Sequence, residues 1–169
     1  YSLGLYAGGR GTATVVLRVP SGLDRQRGNL SGAVVTGLGS YDRALSPSDL
    51  TDAVRTGALR YLLQVIDVLG EADREVPLAA LLLGYNSSAN LTVAASVEAL
   101  VRGVMEANAR FYDTTRLNIR IARLDIVELY IDTAISAVYA LRQLGTQLAL
   151  QAEKQGTMLV CRGELVQGE

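Results

Sequence analysis

An α/β domain, with helices packed on a mixed, mostly parallel sheet, is the fold that this sequence predicts. Three observations point to it. Strand-like and helix-like stretches follow one another in the order β, β, α, β, α, β, α, and this alternation places helices against a largely parallel sheet. Three long stretches carry apolar residues at steps of three and four, the spacing of one buried helix face. Two short runs, Gly32–Leu38 and Val76–Leu83, are almost continuously apolar, which suits strands covered on both faces.

In chain order, Thr12–Val19 is rich in β-branched residues and reads as a strand that Pro20 ends. Ser21–Leu30 holds Gly22, Gly28 and several charges and reads as a surface loop. Gly32–Leu38 is the next strand. Ser46-Pro47-Ser48-Asp49 is a helix start: Ser46 caps, Pro47 suits the first helical position, and Asp49 favours the positive end of the dipole. Leu50, Val54, Ala58, Tyr61, Leu62, Val65 and Leu69 then form one face, and Gly70 stops the helix. Val76–Leu83 is a strand with Pro77 expected at its start. Thr92 caps a helix from Val93 to about Phe111, with Val97, Leu100, Val101, Val104 and Met105 on one stripe. Leu117–Ile121 alternates and reads as a strand continuing to Val127. A third helix spans roughly Leu129 to Ala152, with Ile131, Ile135, Val138, Leu141 and Leu148 expected to face inward. Met158–Val166 reads as a last strand. The domain is therefore expected over residues 1–155, with 156–169 as a C-terminal strand or a linker. Starting at Tyr1 without Met, the chain is expected to be a portion of a longer polypeptide, whose N-terminal strands can lie before Tyr1.

Composition narrows the chemistry. Hydrophobic residues make up 49% and charged residues 20%, a globular mix that argues against disorder. Sixteen basic and 17 acidic residues give a net charge of −1, without the basic face that nucleic-acid binding needs, so no nucleic acid is expected as a partner. No apolar run reaches the roughly 18–20 residues of a bilayer span, so no membrane is expected either. The absence of histidine excludes a Ser-His-Asp triad, a Cys-His dyad and histidine-containing zinc sites within this chain. No catalytic residue, metal or cofactor is expected. Cys161, the single cysteine, reads as a small buried hydrophobe and gives no sign of an oxidising compartment. Asn29, Asn86 and Asn90 open glycosylation-type triplets of a kind that arises often by chance.

Three constellations could hold a ligand. Gly37 and Gly39 flank Leu38 at a strand end, where α/β sheets place ligands and glycine lets a backbone approach them; a turn needing positive φ explains the same residues. Gly84, Asn86, Ser87, Ser88 and Asn90 lie between a strand and a helix N-terminus, where N–H groups and polar side chains can hold an anion; a capped loop is the alternative. Asp125, Glu128 and Asp132 could form an acid–base or metal set, but Arg120 and Arg123 nearby make ordinary ion pairing the simpler account.

Two stretches carry a family likeness. Gly32-Ala33-Val34-Val35-Thr36-Gly37-Leu38-Gly39, followed by Leu45-Ser46-Pro47-Ser48-Asp49-Leu50, resembles the N-terminal domain of leucine aminopeptidases, where a Gly-Leu-Gly turn leads to a Leu-Ser/Thr-Pro helix start. Val97–Phe111 is similar to a later helix of that domain. The resemblance implies a three-layer, macro-domain-like fold that supports a catalytic domain without carrying its metal site. Leu3–Gly8, Leu82–Ser87 and Ile121–Tyr130 also look like a segment of large bacterial proteins that carry a caspase-like CHAT protease domain. That likeness implies a bacterial, cytoplasmic, non-catalytic regulatory or scaffolding module in a defence or stress pathway. Its expected partners are other domains or chains of the parent protein, with a homo-oligomer open as well. A domain sensing a nucleotide or ADP-ribose, and a supporting half of a hydrolase, are the alternatives.

Overall fold

The computed structural model describes residues 8–18, 31–40, 44–85 and 91–154. Four strands and three helices are present among them: β1 (Ala13–Leu17), β2 (Gly32–Thr36), α1 (Pro47–Leu69), β3 (Arg74–Leu81), α2 (Val93–Thr115), β4 (Ile119–Val127) and α3 (Ile131–Lys154). Cys161, the Met158–Val166 strand and the three glycosylation-type asparagines lie outside the described residues.

The helices begin where local chemistry starts them. The Ser46 hydroxyl accepts a hydrogen bond from the Asp49 N–H at 3.1 Å, and the Asp49 carboxylate accepts one from the Ser46 N–H at 3.0 Å. Two otherwise unpaired donors are thereby satisfied at the head of α1. Thr92 does half of this for α2, accepting from the Ala95 N–H at 3.1 Å. Gly70 and Arg116 end these helices with positive φ, and each donates its N–H four residues back.

The sheet departs from the expectation. Among the described residues the strands form two separate pairs, β1 with β2 antiparallel and β3 with β4 parallel. All three helices pack on the same face of these pairs. Val15, Leu17, Val34, Val76, Leu78, Ile119, Ile121 and Leu124 point to a core filled by Ala58, Leu62 and Val65 of α1 and by Val104, Ala107 and Phe111 of α2. Glu75, Pro77, Ala79 and Leu81, of the opposite parity on β3, are exposed. The continuous apolar runs thus have only one face covered by the described residues. In Val76–Leu83 the second face carries Pro77, Ala79 and Leu81, none of them polar, which hides the alternation in the sequence. Pro77 sits inside β3, not at its start: the register slips between Val76 and Pro77, leaving Ala122 of β4 without a partner, and a bulge tolerates a residue with no N–H to donate.

Two glycines within helices set the close packing. A Cβ on Gly103 of α2 would lie 2.7 Å from the Val54 side chain and 2.9 Å from the Thr51 carbonyl oxygen of α1. A Cβ on Gly57 of α1 would lie 2.5 Å from the Thr36 methyl of β2. Helix and strand approach this closely only because neither position carries a side chain. Arg55 then bridges the two helices, reaching Glu106 at 2.9 Å and Asp52 at 2.8 Å.

Asn108 of α2 ties the helix layer to β4. Its amide donates to the Ile121 carbonyl at 2.9 Å and accepts from the Ile121 N–H at 2.9 Å. Replacing Asn108 with alanine is expected to lower the unfolding free energy by about 2 kcal/mol, because both half-buried backbone groups lose their partner. Urea unfolding of the two proteins checks this; a change below about 0.5 kcal/mol would mean that water replaces the amide.

In α3 the inward face is the expected one only in its second half, where Leu148 is buried and Leu141 packs on the core. Ala137, Leu144 and Leu148 are buried, whereas Ile131 and Ile135 are 64% and 46% exposed. The apolar arc of this helix is wider than the surface that α2 and the strands offer it.

Candidate functional site

The C-terminal ends of β2 and β3 and the N-terminus of α1 meet at one end of the molecule, and the candidate glycines lie there. Leu38, between Gly37 and Gly39, packs in the same cluster as Leu45, Leu83 and Leu91, the last two on either side of Gly84. The structure therefore brings the two candidate loops together. Asn86, Ser87, Ser88 and Asn90 lie outside the described residues, so Gly84 stands for its loop. The Leu91 N–H donates to the Gly84 carbonyl at 3.1 Å and closes that loop at its base.

The space beside Gly37 and Gly39 is taken by the chain itself. A Cβ on Gly37 would lie 2.0 Å from the Gly9 carbonyl oxygen, and the Gly37 N–H donates to Thr12 at 2.9 Å. Gly39 adopts φ 89° beneath the Arg10 side chain. Arg10 then donates to the Ala44 carbonyl at 2.8 Å and to Asp49 at 3.1 Å, clamping the turn onto the head of α1. Asp49 is held below the usual carboxylate range, chiefly by the Ser46 N–H, then by the Ser46 hydroxyl and the Arg10 charge.

Beside Gly84 a cavity of about 580 Å³ opens between the N-termini of α2 and α3, lined by Tyr85, Leu91, Thr92, Tyr130, Asp132 and Thr133. Helix N-termini and strand ends commonly meet ligands in this way. Here a carboxylate stands just before α3: Glu128 accepts from the N–H groups of Leu129 at 2.8 Å and Tyr130 at 3.1 Å, and from the Tyr85 hydroxyl at 3.4 Å. Together with Asp132 it gives the cavity a negative character that disfavours phosphate. A second cavity, of about 610 Å³, separates the two strand pairs. Tyr61 lines it, its hydroxyl donating to the Pro77 carbonyl at 3.1 Å; burial raises its pKa and keeps it a donor.

The acidic set is dispersed. Asp125 pairs with Arg123 at 3.1 Å, Glu128 binds the N–H groups of Leu129 and Tyr130 ahead of α3, and Asp132 lines the strand-end cavity. Among the described residues no group of three acidic, histidine or cysteine side chains is placed to share a metal ion, and no helix is long and apolar enough to cross a membrane.

The sequence reading missed the large apolar groups left in the open near these ends: Leu81, Val127, Leu129 and Tyr130 are 59%, 48%, 86% and 62% exposed. The run Val127–Ile131 offered a signal, because four apolar residues flank one charge where a strand gives way to a helix. No protein-family model and no curated protein matches this chain.

Proposed function

We propose that the chain is a non-catalytic docking module of macro-like type whose bare strand face is covered by a neighbouring part of a larger protein. The observation that carries this reading is the one-sided helix layer: the strands are packed on one face and leave Leu81, Val127 and, on β1, Val16 exposed on the other. Exposed apolar groups gathered near one strand end, with charged residues around them, are the composition of a contact surface. In a three-layer fold a second helix layer would lie there, and here the neighbour would supply it. The likeness of Ile121–Tyr130 and Leu82–Ser87 to a segment of CHAT-containing proteins makes a bacterial, cytoplasmic caspase-like protease domain the favoured neighbour.

Substituting Leu81→Asp and Val127→Asp in the protein that carries this chain tests the reading. Both side chains are exposed, so the module should keep its fold by circular dichroism. Its association with the neighbour should weaken at least tenfold, about 1.4 kcal/mol. Unchanged assembly and activity would overturn the proposal. Small-ligand sensing is the second reading, favoured by the strand-end cavity alone; a thermal shift with ADP-ribose, despite Glu128 and Asp132, would support it.

A further inference from the structure

We infer that two copies of this chain pair through the open half of the β4 edge and the flank of α3 beside it, as a two-fold dimer with a continuous sheet. The inference does not depend on the module reading, since it concerns the hydrogen-bonding edge of β4 and not the bare face of the strands.

β4 bonds to β3 on one side only, among the described residues. In a strand, one residue turns its N–H and C=O to the same edge, and the next residue turns them to the opposite edge. Ile121 gives both groups to Asn108, so it is turned away from β3. Beyond the unpaired Ala122, Leu124 and Ile126 take the same orientation, since they also face the helices. Among the described residues the edge is thus closed at Ile121 by an amide and open from Ala122 to Val127.

α3 packs beside that half, with Ala137 in one cluster with Leu124 and Ile126. Thr133, Ala137 and Ala140 look toward Tyr85 and the head of α2. Ile131 and Ile135, half a turn round the helix from them, look away from α2 and are left exposed. An open edge beside an exposed apolar flank is a surface on which a second strand and a second helix fit together.

A second copy fits because the surface complements itself. In an antiparallel pairing centred on Leu124, Leu124 faces Leu124 of the second copy and Ala122 faces Ile126. Arg123 faces Asp125 of the second copy, and the two-fold axis repeats that ion pair. The two α3 helices then lie side by side and cover the exposed Ile131 and Ile135. Stable interfaces bury about 1,200–2,000 Å² in total, so the pairing joins the strand ladder and the two helix flanks in one surface.

The test uses the intact chain. Sedimentation equilibrium should give twice the 18.0 kDa of one chain. Arg123→Asp sets carboxylates against one another across the axis, and Asp125→Arg sets guanidinium groups against one another. Each variant alone should sediment as a monomer while keeping its circular dichroism, because both side chains are exposed. An equal mixture should recover the dimer, because every carboxylate of the first variant then faces a guanidinium of the second across the axis. A wild-type chain that stays monomeric at all accessible concentrations overturns the inference and shows that something else covers the edge. Single variants that still dimerise, or a mixture that stays monomeric, overturn it equally.

Discussion

Valine at position 103 is expected to destabilise the fold by roughly 3 kcal/mol or more, at the upper end of what overpacking costs. Gly103 is buried where α2 crosses α1, and even a methyl group would press on Val54 and on the Thr51 carbonyl. Side chains can rotate away from such a contact, but a helical carbonyl cannot move without bending its helix. The helices must therefore separate, and Arg55 would lose its reach to Glu106. Alanine at the same position gains about 1 kcal/mol of helix propensity over glycine, which offsets part of the clash. The order of stability should be glycine, alanine, valine. Urea unfolding monitored by circular dichroism measures it, and a valine variant within about 1 kcal/mol of the wild type would mean that the interface is looser than it stands here.

Phe111→Ala should cost a similar amount, about 3–5 kcal/mol, by the opposite route. Phe111 is the only phenylalanine of the chain and is 2% exposed, in the cluster where α2 meets β3 and β4. Removing the ring leaves a cavity that the surrounding Val76, Ile119 and Ile121 cannot fill, because their strands are held by ladder hydrogen bonds. Phe111→Leu should recover most of the loss. A domain of this size has about 5–15 kcal/mol in all, so the alanine variant should be partly unfolded at modest urea. If its unfolding midpoint stays at the wild-type value, the ring is not the packing centre it is taken to be.

The helices were legible from the sequence because what starts and stops them is local. Ser46, Pro47, Asp49 and Gly70 bound α1, and Thr92 starts α2. The sheet was not legible to the same degree, since pairing joins residues far apart. Nothing near Gly32–Thr36 says that its partner is Ala13–Leu17 and not a parallel neighbour. Pro77 was misplaced because a bulge is a property of two strands together. Ile131 and Ile135 read as inward because periodicity reports that a face is apolar and not whether anything covers it. Gly57 and Gly103 were readable but passed over: a glycine inside a strongly periodic helix marks a close contact. At the candidate site, the proximity of the Gly37 and Gly84 loops came only with the fold, through Leu38, Leu45 and Leu91.

The division of the strands into two pairs also decides how the molecule bears a load. Tension along β3 and β4 meets a row of backbone hydrogen bonds, backed by the Asn108 amide that rivets β4 to α2. Tension on the β1–β2 hairpin meets no ladder to the rest of the described chain: side-chain contacts with α1, the Leu38 cluster and the Arg10 clamp hold it. Such contacts yield one at a time, while a ladder pulled along its strands resists as a set. The hairpin is the weak seam, and a force applied at the N-terminal end would strip it away while the β3–α2–β4 unit stayed whole.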